Sequence, residues 1–194
     1  MFHVMTRIGA AVLALVSLQS VALAHVGAHA QGIGDGLAHP FSGLDHILAM
    51  VAVGLWASQM ARPAWWALPL TFAAVMALGA VVGFAGVASP WIEIGIAASV
   101  TVLGGAIALA LRPSLVVGVA LVALFALVHG YAHGAELPAS ASPLAYGIGF
   151  VAATLALHAI GLELGRLSKS AAKQLAMRGA GAAIAVAGIA LLVI

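Results

Sequence analysis

The sequence predicts an all-α protein, a polytopic membrane helix bundle with six transmembrane helices after a cleavable signal peptide. Of the 194 residues, 64% are hydrophobic and only 6% are charged, whereas soluble domains carry about 25% charged residues. The apolar residues form stretches of about 20, the length that crosses a bilayer as a helix. Strand-like alternation is absent from the sequence, and an open sheet cannot satisfy its backbone in lipid. The stretches are therefore predicted to be helices.

The first 24 residues are predicted to be a signal peptide. Arg7 supplies a weakly positive start, residues 8–18 form an apolar run, and Ala22-Leu23-Ala24 fits the small-x-small cleavage rule. Cleavage would leave His25 as the first residue of a single membrane domain, residues 25–194. An uncleaved first helix is the alternative, and both readings place His25 outside the cytoplasm.

Six transmembrane helices are predicted at roughly 42–61, 64–84, 91–111, 114–133, 143–165 and 176–194, and the first four connections between them contain proline. If the mature N-terminus is outside, every basic residue of the mature chain lies on the opposite side of the membrane: Arg62, Arg112, Arg166, Lys169, Lys173 and Arg178. Positive residues mark the cytoplasmic side. The sequence thus predicts a membrane protein with its mature N-terminus and its C-terminus outside the cytoplasm.

Charge and cysteine content exclude several classes of function. The formal net charge is +2 and the basic residues form no patch, so we expect lipid but no nucleic acid as a partner. The chain has no cysteine. Disulfides, thiolate metal sites and cysteine catalysis are therefore excluded.

Ionisable residues of the predicted topology gather toward the outer face of the membrane. Such residues within a membrane segment are expensive and mark functional sites by default. They come from the mature N-terminus and from the first, third and fourth spans: His25, His29, Asp35, His39, Asp45, His46, Glu93, His129, His133 and Glu136. Their convergence on one side predicts a site there.

The stretch HGYAHGAE, residues 129–136, has metal-ligand spacing. His129 and His133 are four residues apart, so on a helix they share one face, one turn apart. Helical histidine pairs at this spacing bind one metal ion together, and Glu136 extends the same stripe. The alternative is that these histidines are hydrogen-bonded packing residues.

The stretch HPFSGLDH, residues 39–46, leaves several roles open. Pro40 favours the first helical turn, which predicts His39 at the helix cap. His39 and His46 would lie roughly 10 Å apart along a straight helix, too far to bind one ion. His39 could bind an ion with the N-terminal arm, while His46 could join the His129/His133 pair. Asp45 could ligate, could orient an imidazole, or could form a self-contained polar pair with His46.

Four other residues have weaker signals. Glu93 lies in the first turn of the third span, where the helix dipole favours a carboxylate, so a ligand role and a structural role are equally supported. His25 and His29 could collect a divalent cation, although terminal arms are usually disordered. His158, in the middle of the fifth span, could be a deeper relay or could bond a neighbouring helix backbone.

The predicted ligand set narrows the choice of ion. Imidazole and carboxylate without thiolate argue against Cu(I) and suit Ni²⁺, Co²⁺, Zn²⁺, Fe²⁺ or Mn²⁺. Mg²⁺ and Ca²⁺ prefer sites made of oxygen ligands. Ligand chemistry leaves the choice among the borderline ions open.

The two motifs resemble those of a known family. HPFSGLDH reads as H-x5-D-H, and HGYAHGAE is similar to the second motif of the HupE/UreJ family, although Val128 stands where an aromatic residue often precedes it. The resemblance covers essentially the whole chain. It implies a nickel permease of a bacterial inner membrane that serves [NiFe] hydrogenase or urease, with cobalt transport in some members. It also implies that the ion is bound by His39, Asp45, His46, His129, His133 and Glu136, with Glu93 a further family position.

The leading hypothesis is therefore a permease, not an enzyme, that imports Ni²⁺ or Co²⁺ along a path lined by His, Asp and Glu at its periplasmic side. The ion is cargo, and no tightly bound cofactor is expected. The alternatives are a membrane-embedded metal-dependent hydrolase with Glu136 or Asp45 as base, or an accessory subunit of a larger metal transporter. Passive flow and proton coupling both stay open, as do a homo-oligomer and cytoplasmic metallochaperones as partners.

Overall fold

The computed structural model describes residues 32–86, 90–137, 142–168 and 170–193, and this part of the chain is helical without strands. The helices are α1 Ile33–Ala38, a 3-10 helix His39–Phe41, α2 Leu44–Gln59, α3 Ala64–Phe84, α4 Pro90–Ala108, α5 Leu115–Ala135, α6 Pro143–Arg166 and α7 Ala171–Leu191. The prediction of an all-α membrane bundle is confirmed. The predicted signal peptide, residues 1–24, lies outside the described residues, as do His25 and His29.

Five of these helices, α3 to α7, are long and apolar enough to cross a membrane. The predicted first span, 42–61, corresponds to α2, whose 16 residues are too few to cross alone. Together with α1 and the 3-10 helix it forms a sixth candidate span that is bent by 86°. The predicted helix at 42–61 is therefore found as α2, and the structure adds the bent helical segment Ile33–Phe41 before it.

Serine side chains begin the last three helices. Ser114, Ser142 and Ser170 each accept a hydrogen bond from the backbone N–H three residues later. This satisfies one of the N–H groups that a helix start leaves without a partner. Pro143 follows Ser142 at a position where the missing N–H of proline costs nothing.

Helices α3 and α5 pack closely because both contain glycines four residues apart. Gly79 and Gly83 of α3 face the backbone of α5, and Gly130 and Gly134 of α5 face the backbone of α3. A Cβ atom on Gly130 would collide with the carbonyl oxygen of Met76. Small residues at such spacing let helices approach in lipid. The motif that contains the two histidines of α5 therefore also contains the glycines that hold α5 in place.

Helix α2 is the centre of the bundle and contacts α3, α4, α6 and α7. Residues 52–57 are buried without interruption, which is possible only for a helix covered on all sides. Gly54 and Gly161 bring α2 and α6 together, since a Cβ on either would strike the partner backbone. Helices α4 and α7 are paired in the same way through Gly104.

Basic residues collect at one end of the bundle. The guanidinium groups of Arg62 and Arg166 lie 5.8 Å and 4.8 Å from the ring centre of Trp65. Arg178 donates a hydrogen bond of 2.7 Å to the carbonyl oxygen of Ala108 at the end of α4. The histidines of the two motifs lie toward the opposite end, where α2 and α4 begin and α5 ends.

Candidate metal centre

The bend in the first span brings His39 back toward His46. Ser42 closes the 3-10 turn through its backbone N–H, 2.9 Å from the carbonyl oxygen of His39. Gly43 is extended (φ −119°, ψ 130°) and precedes the new helix, which starts at Leu44. The ring centres of His39 and His46 are consequently 5.9 Å apart. The prediction that the two rings lie too far apart assumed a straight helix and was wrong.

The prediction that Pro40 opens the helix with His39 as its cap was also wrong. Pro40 lies inside the 3-10 helix, and His39 ends α1 while it begins that 3-10 helix. Proline cannot donate a backbone hydrogen bond, which is tolerated in a first turn of either helix type. The sequence signal was therefore correct for a helix start, but the helix that starts there is a single short turn.

A third imidazole reaches this pair from α5. The Nε2 atom of His39 is 3.1 Å from the Nδ1 atom of His133, and the ring centres of His46 and His133 are 4.5 Å apart. One ligand atom from each of the three histidines lies within 4.8 Å of the others. We call His39, His46 and His133 the outer histidine cluster. Its members come from three separate elements, the 3-10 helix, α2 and α5.

Burial leaves part of the cluster without hydrogen bonds. His133 is only 4% exposed, and its Nε2 atom has no hydrogen-bond partner among the described residues. An unmade hydrogen bond of a buried polar group costs about 1–3 kcal/mol. A bound ion or a water molecule would remove that cost. The geometry therefore provides an imidazole nitrogen that is both buried and available.

His129 lies one helical turn from His133 but does not belong to the outer cluster. Its ring is fully buried, and Nδ1 donates a hydrogen bond of 3.0 Å to the carbonyl oxygen of Phe125. Because a carbonyl can only accept, the hydrogen is on Nδ1, and the Nε2 atom of the neutral ring carries a free lone pair. The rings of His46 and His129 are 6.0 Å apart. The structure thus joins His133 to His39 and His46 more closely than to His129.

Asp45 supports the cluster from the side. Its Oδ1 atom is 2.8 Å from Nδ1 of His46, although the angle is not that of a hydrogen bond. The carboxylate folds back over Gly43, where a Cβ atom would collide with it. This placement agrees with the orienting role that the sequence left open for Asp45, since a carboxylate beside an imidazole holds the ring in place.

Glu93 and Glu136 are exposed and lie outside the outer histidine cluster. Glu93 is in the first turn of α4, and Glu136 ends α5. Partial burial raises the pKa of the Glu136 carboxyl, and the Glu93 carboxylate adds to the increase. The Glu93 carboxylate therefore lies near enough to Glu136 to disfavour the charged form of Glu136 at the outer end of the bundle.

Aromatic residues that the sequence reading did not select form the walls of the cluster. The ring of Phe150 is 4.4 Å from that of His133, and Tyr146 lies 5.7 Å from His39. Phe72 of α3 contacts the ring of His129 at 5.5 Å. The sequence signal for two of them was their spacing, since Tyr146 and Phe150 are four residues apart near the outer end of α6 and so share one helix face.

Comparison with known proteins agrees with the motifs. A profile of HupE / UreJ proteins matches residues 13–191. The chain belongs to the HupE/UreJ family. Among its relatives, Protein HupE of Rhizobium leguminosarum bv. viciae is 49% identical over 181 residues, which cover 93% of this chain and 95% of that protein. No solved structure matches the chain.

The donor set of this HupE/UreJ protein has a definite chemical character. The outer cluster offers three neutral nitrogen ligands with Asp45 beside them, and the chain has no thiol. Imidazole ligands suit borderline divalent ions and not hard cations. One carboxylate balances only part of the charge of a divalent ion. A site of this kind favours binding that remains reversible.

Proposed function

We propose that this multi-pass membrane protein is an inner-membrane permease that imports Ni²⁺ or Co²⁺ from the periplasm. The observation that carries the proposal is the outer histidine cluster, in which His39, His46 and His133 approach one point from three elements. Membership of the HupE/UreJ family supports it, because the resemblance of the two motifs implied nickel permeases. The apolar helices around the cluster suit a transmembrane path.

The proposed direction of transport follows from the distribution of charge. Basic residues mark the cytoplasmic end, and the described ones are at the end of the bundle opposite the cluster. The cluster then faces the periplasm, as do the mature N-terminus and the C-terminus. After cleavage of residues 1–24, an arm with His25 and His29 would deliver ions to His39.

The cluster suits an ion in transit. A divalent ion that enters a bundle must exchange its hydration shell for protein ligands, because charge is expensive at membrane depth. Three imidazoles can replace water, and Asp45 offsets part of the charge. Conduction also requires that the ion can leave again. Neutral ligands with one nearby carboxylate meet both requirements better than a cage of carboxylates.

Ion accumulation in cells tests the proposal. Cells that lack their own nickel uptake would express the chain, and mass spectrometry would measure Ni, Co, Zn and Mn per cell. We expect accumulation of Ni or Co above that of vector controls. His46→Ala and His133→Ala should reduce it to the vector level. Met50→Leu is the matched control, since Met50 is fully buried one turn below His46 and leucine has a similar volume.

Each outcome has a clear meaning. Accumulation that is lost in both histidine variants and kept in Met50→Leu supports the permease and identifies its cargo. With the protein confirmed in the membrane, no accumulation of any ion would rule out autonomous transport and favour an accessory subunit. Accumulation that is unchanged in the histidine variants would reject the outer cluster as the binding site.

A further inference from the structure

His158 is a buried histidine that the outer cluster does not use. It lies in α6 and is 1% exposed. Both of its ring nitrogens lack a hydrogen-bond partner among the described residues. The alternative of a bond to a neighbouring helix backbone is therefore not realised here. Nearly all buried polar atoms are paired, so an imidazole with two unpaired nitrogens requires an explanation.

His158 lies deeper in the bundle than the outer histidine cluster and His129. The ring of Phe72 lies 5.5 Å from that of His129 and 5.1 Å from that of His158. His129 is about 9 Å along α5 from its outer end, and His158 is about 22 Å along α6 from its outer end. His158 is thus close to the middle of the membrane. The ring of Phe72 contacts the rings of both His129 and His158.

Two further polar groups accompany His158. Thr154 precedes it by one helical turn, so both side chains lie on the same face of α6. Thr154 is fully buried, and its Oγ1 atom is 3.9 Å from the Sδ atom of Met76, which is itself 1% exposed. A hydroxyl and a thioether therefore lie one turn outward of the imidazole. Nitrogen and sulfur donors suit the same borderline ions that the outer cluster suits.

We propose that His158 is the imidazole ligand of a second, inner ion station, which receives the ion after it has passed Phe72. This inference rests on the proposed function, since it requires that an ion moves through the bundle. A single neutral ligand assisted by weak donors binds an ion briefly. Several weak sites in series are what a permeating ion needs. The unpaired nitrogens of His158 are then explained by an ion that is bound only during transport.

Transport and binding by the purified full chain test the inner station. The protein would be reconstituted into liposomes for Ni²⁺ uptake, and kept in detergent for Ni²⁺ binding and thermal unfolding. In His158→Leu we expect uptake at least tenfold slower, while Ni²⁺ affinity at the outer cluster stays within twofold. The melting temperature should be equal or higher, because leucine replaces two unpaired polar atoms by apolar ones.

Two more variants distinguish a metal-ligand role of His158 from its other possible roles. His158→Gln keeps hydrogen-bonding groups but is a poor ligand for Ni²⁺, so its uptake should be as slow as that of His158→Leu. Leu157→Val is the matched control, since Leu157 is the buried neighbour of His158 at the same depth. It should transport at the rate of the unchanged protein.

The results distinguish the inference from the function on which it rests. Uptake by His158→Leu at the rate of the unchanged protein would overturn the inner station alone. Restored uptake in His158→Gln would also overturn it, because His158 would then hold a hydrogen bond or a water molecule. If the unchanged protein moves no Ni²⁺, the proposed function fails, and the inner station fails with it.

Discussion

The glycine contact between α3 and α5 predicts that substituting Gly130 by alanine lowers the stability of the protein. Replacing Gly130 by alanine places a Cβ atom against the carbonyl oxygen of Met76. The carbonyl oxygen belongs to the backbone of α3 and the Cβ is fixed to the backbone of α5, so no flexible side chain can move aside. Ordinary van der Waals contact begins at 3.4 Å, and the two helices must separate by about 1 Å or more to reach it.

The magnitude follows from two opposing effects. Overpacking of this kind costs about 1–3 kcal/mol, and alanine in a helix recovers about 0.5–1 kcal/mol relative to glycine. Gly130→Ala should therefore lower the free energy of unfolding by about 1 kcal/mol, the difference between the midpoints of these two ranges. Gly147 in α6 has no atom within 4 Å of the position of a Cβ. Gly147→Ala should raise the free energy of unfolding by about 0.5–1 kcal/mol.

Separation of the helices also moves the histidines, because Gly130 adjoins His129 and precedes His133 by three residues. Residues that support a metal site typically change the metal affinity by about 10–100-fold when they are mutated. We expect Ni²⁺ affinity to fall by about tenfold or more in Gly130→Ala. Gly147→Ala should leave the affinity unchanged.

Denaturant unfolding in detergent, followed by tryptophan fluorescence, measures the stability, and equilibrium binding measures the Ni²⁺ affinity. Trp56 is 1% exposed at the centre of the bundle, so its fluorescence should change when the bundle unfolds. If Gly130→Ala and Gly147→Ala change the free energy of unfolding by the same amount and in the same direction, the packing explanation is refuted. Reduced stability with unchanged affinity would show that α3 does not position the histidines.

Three further predictions concern single residues. Gly43→Ala should weaken Ni²⁺ binding with little change in melting temperature, because its Cβ would displace the Asp45 carboxylate from His46; unchanged affinity would contradict this. Asp45→Asn should weaken Ni²⁺ binding by about 10–100-fold, and a loss below twofold by calorimetry would remove Asp45 from the site. Ala110→Gly should raise the free energy of unfolding by about 1 kcal/mol, since Ala110 has φ 53°, a left-handed conformation that favours glycine. A lower free energy of unfolding, measured by chemical denaturation, would refute this prediction.

Composition and spacing predicted most of the fold. The lengths of the apolar stretches predicted α3 to α6 within a few residues, because the thickness of a bilayer leaves little choice of helix length. The last span begins at Ala171 and not at 176, since a helix continues past the hydrocarbon region when Ser170 caps it. The first span was the least accurate. Its break at Gly43 depends on contacts of α1 with α6 that a single stretch of sequence does not reveal.

The candidate site was predicted in part. Motif spacing identified His39, His46 and His133 as candidates, paired His133 with His129, and left open that His46 joins that pair. The actual neighbours of His133 come from the 3-10 helix and α2, and the bend brings them within reach. Phe72 had no spacing signal, because an aromatic residue in an apolar helix looks the same whether it faces lipid or an imidazole.

By itself, the sequence determined that this protein is an α-helical membrane bundle with polar residues gathered at one end, since hydrophobic length and charge are local properties. It also determined the family through two short motifs. Only the tertiary structure decided which histidines meet, which nitrogens remain unpaired, and that Phe72 contacts both His129 and His158. These features depend on an 86° bend and on glycine contacts between distant helices, and the spacing of the glycines does not say which helix each of them meets.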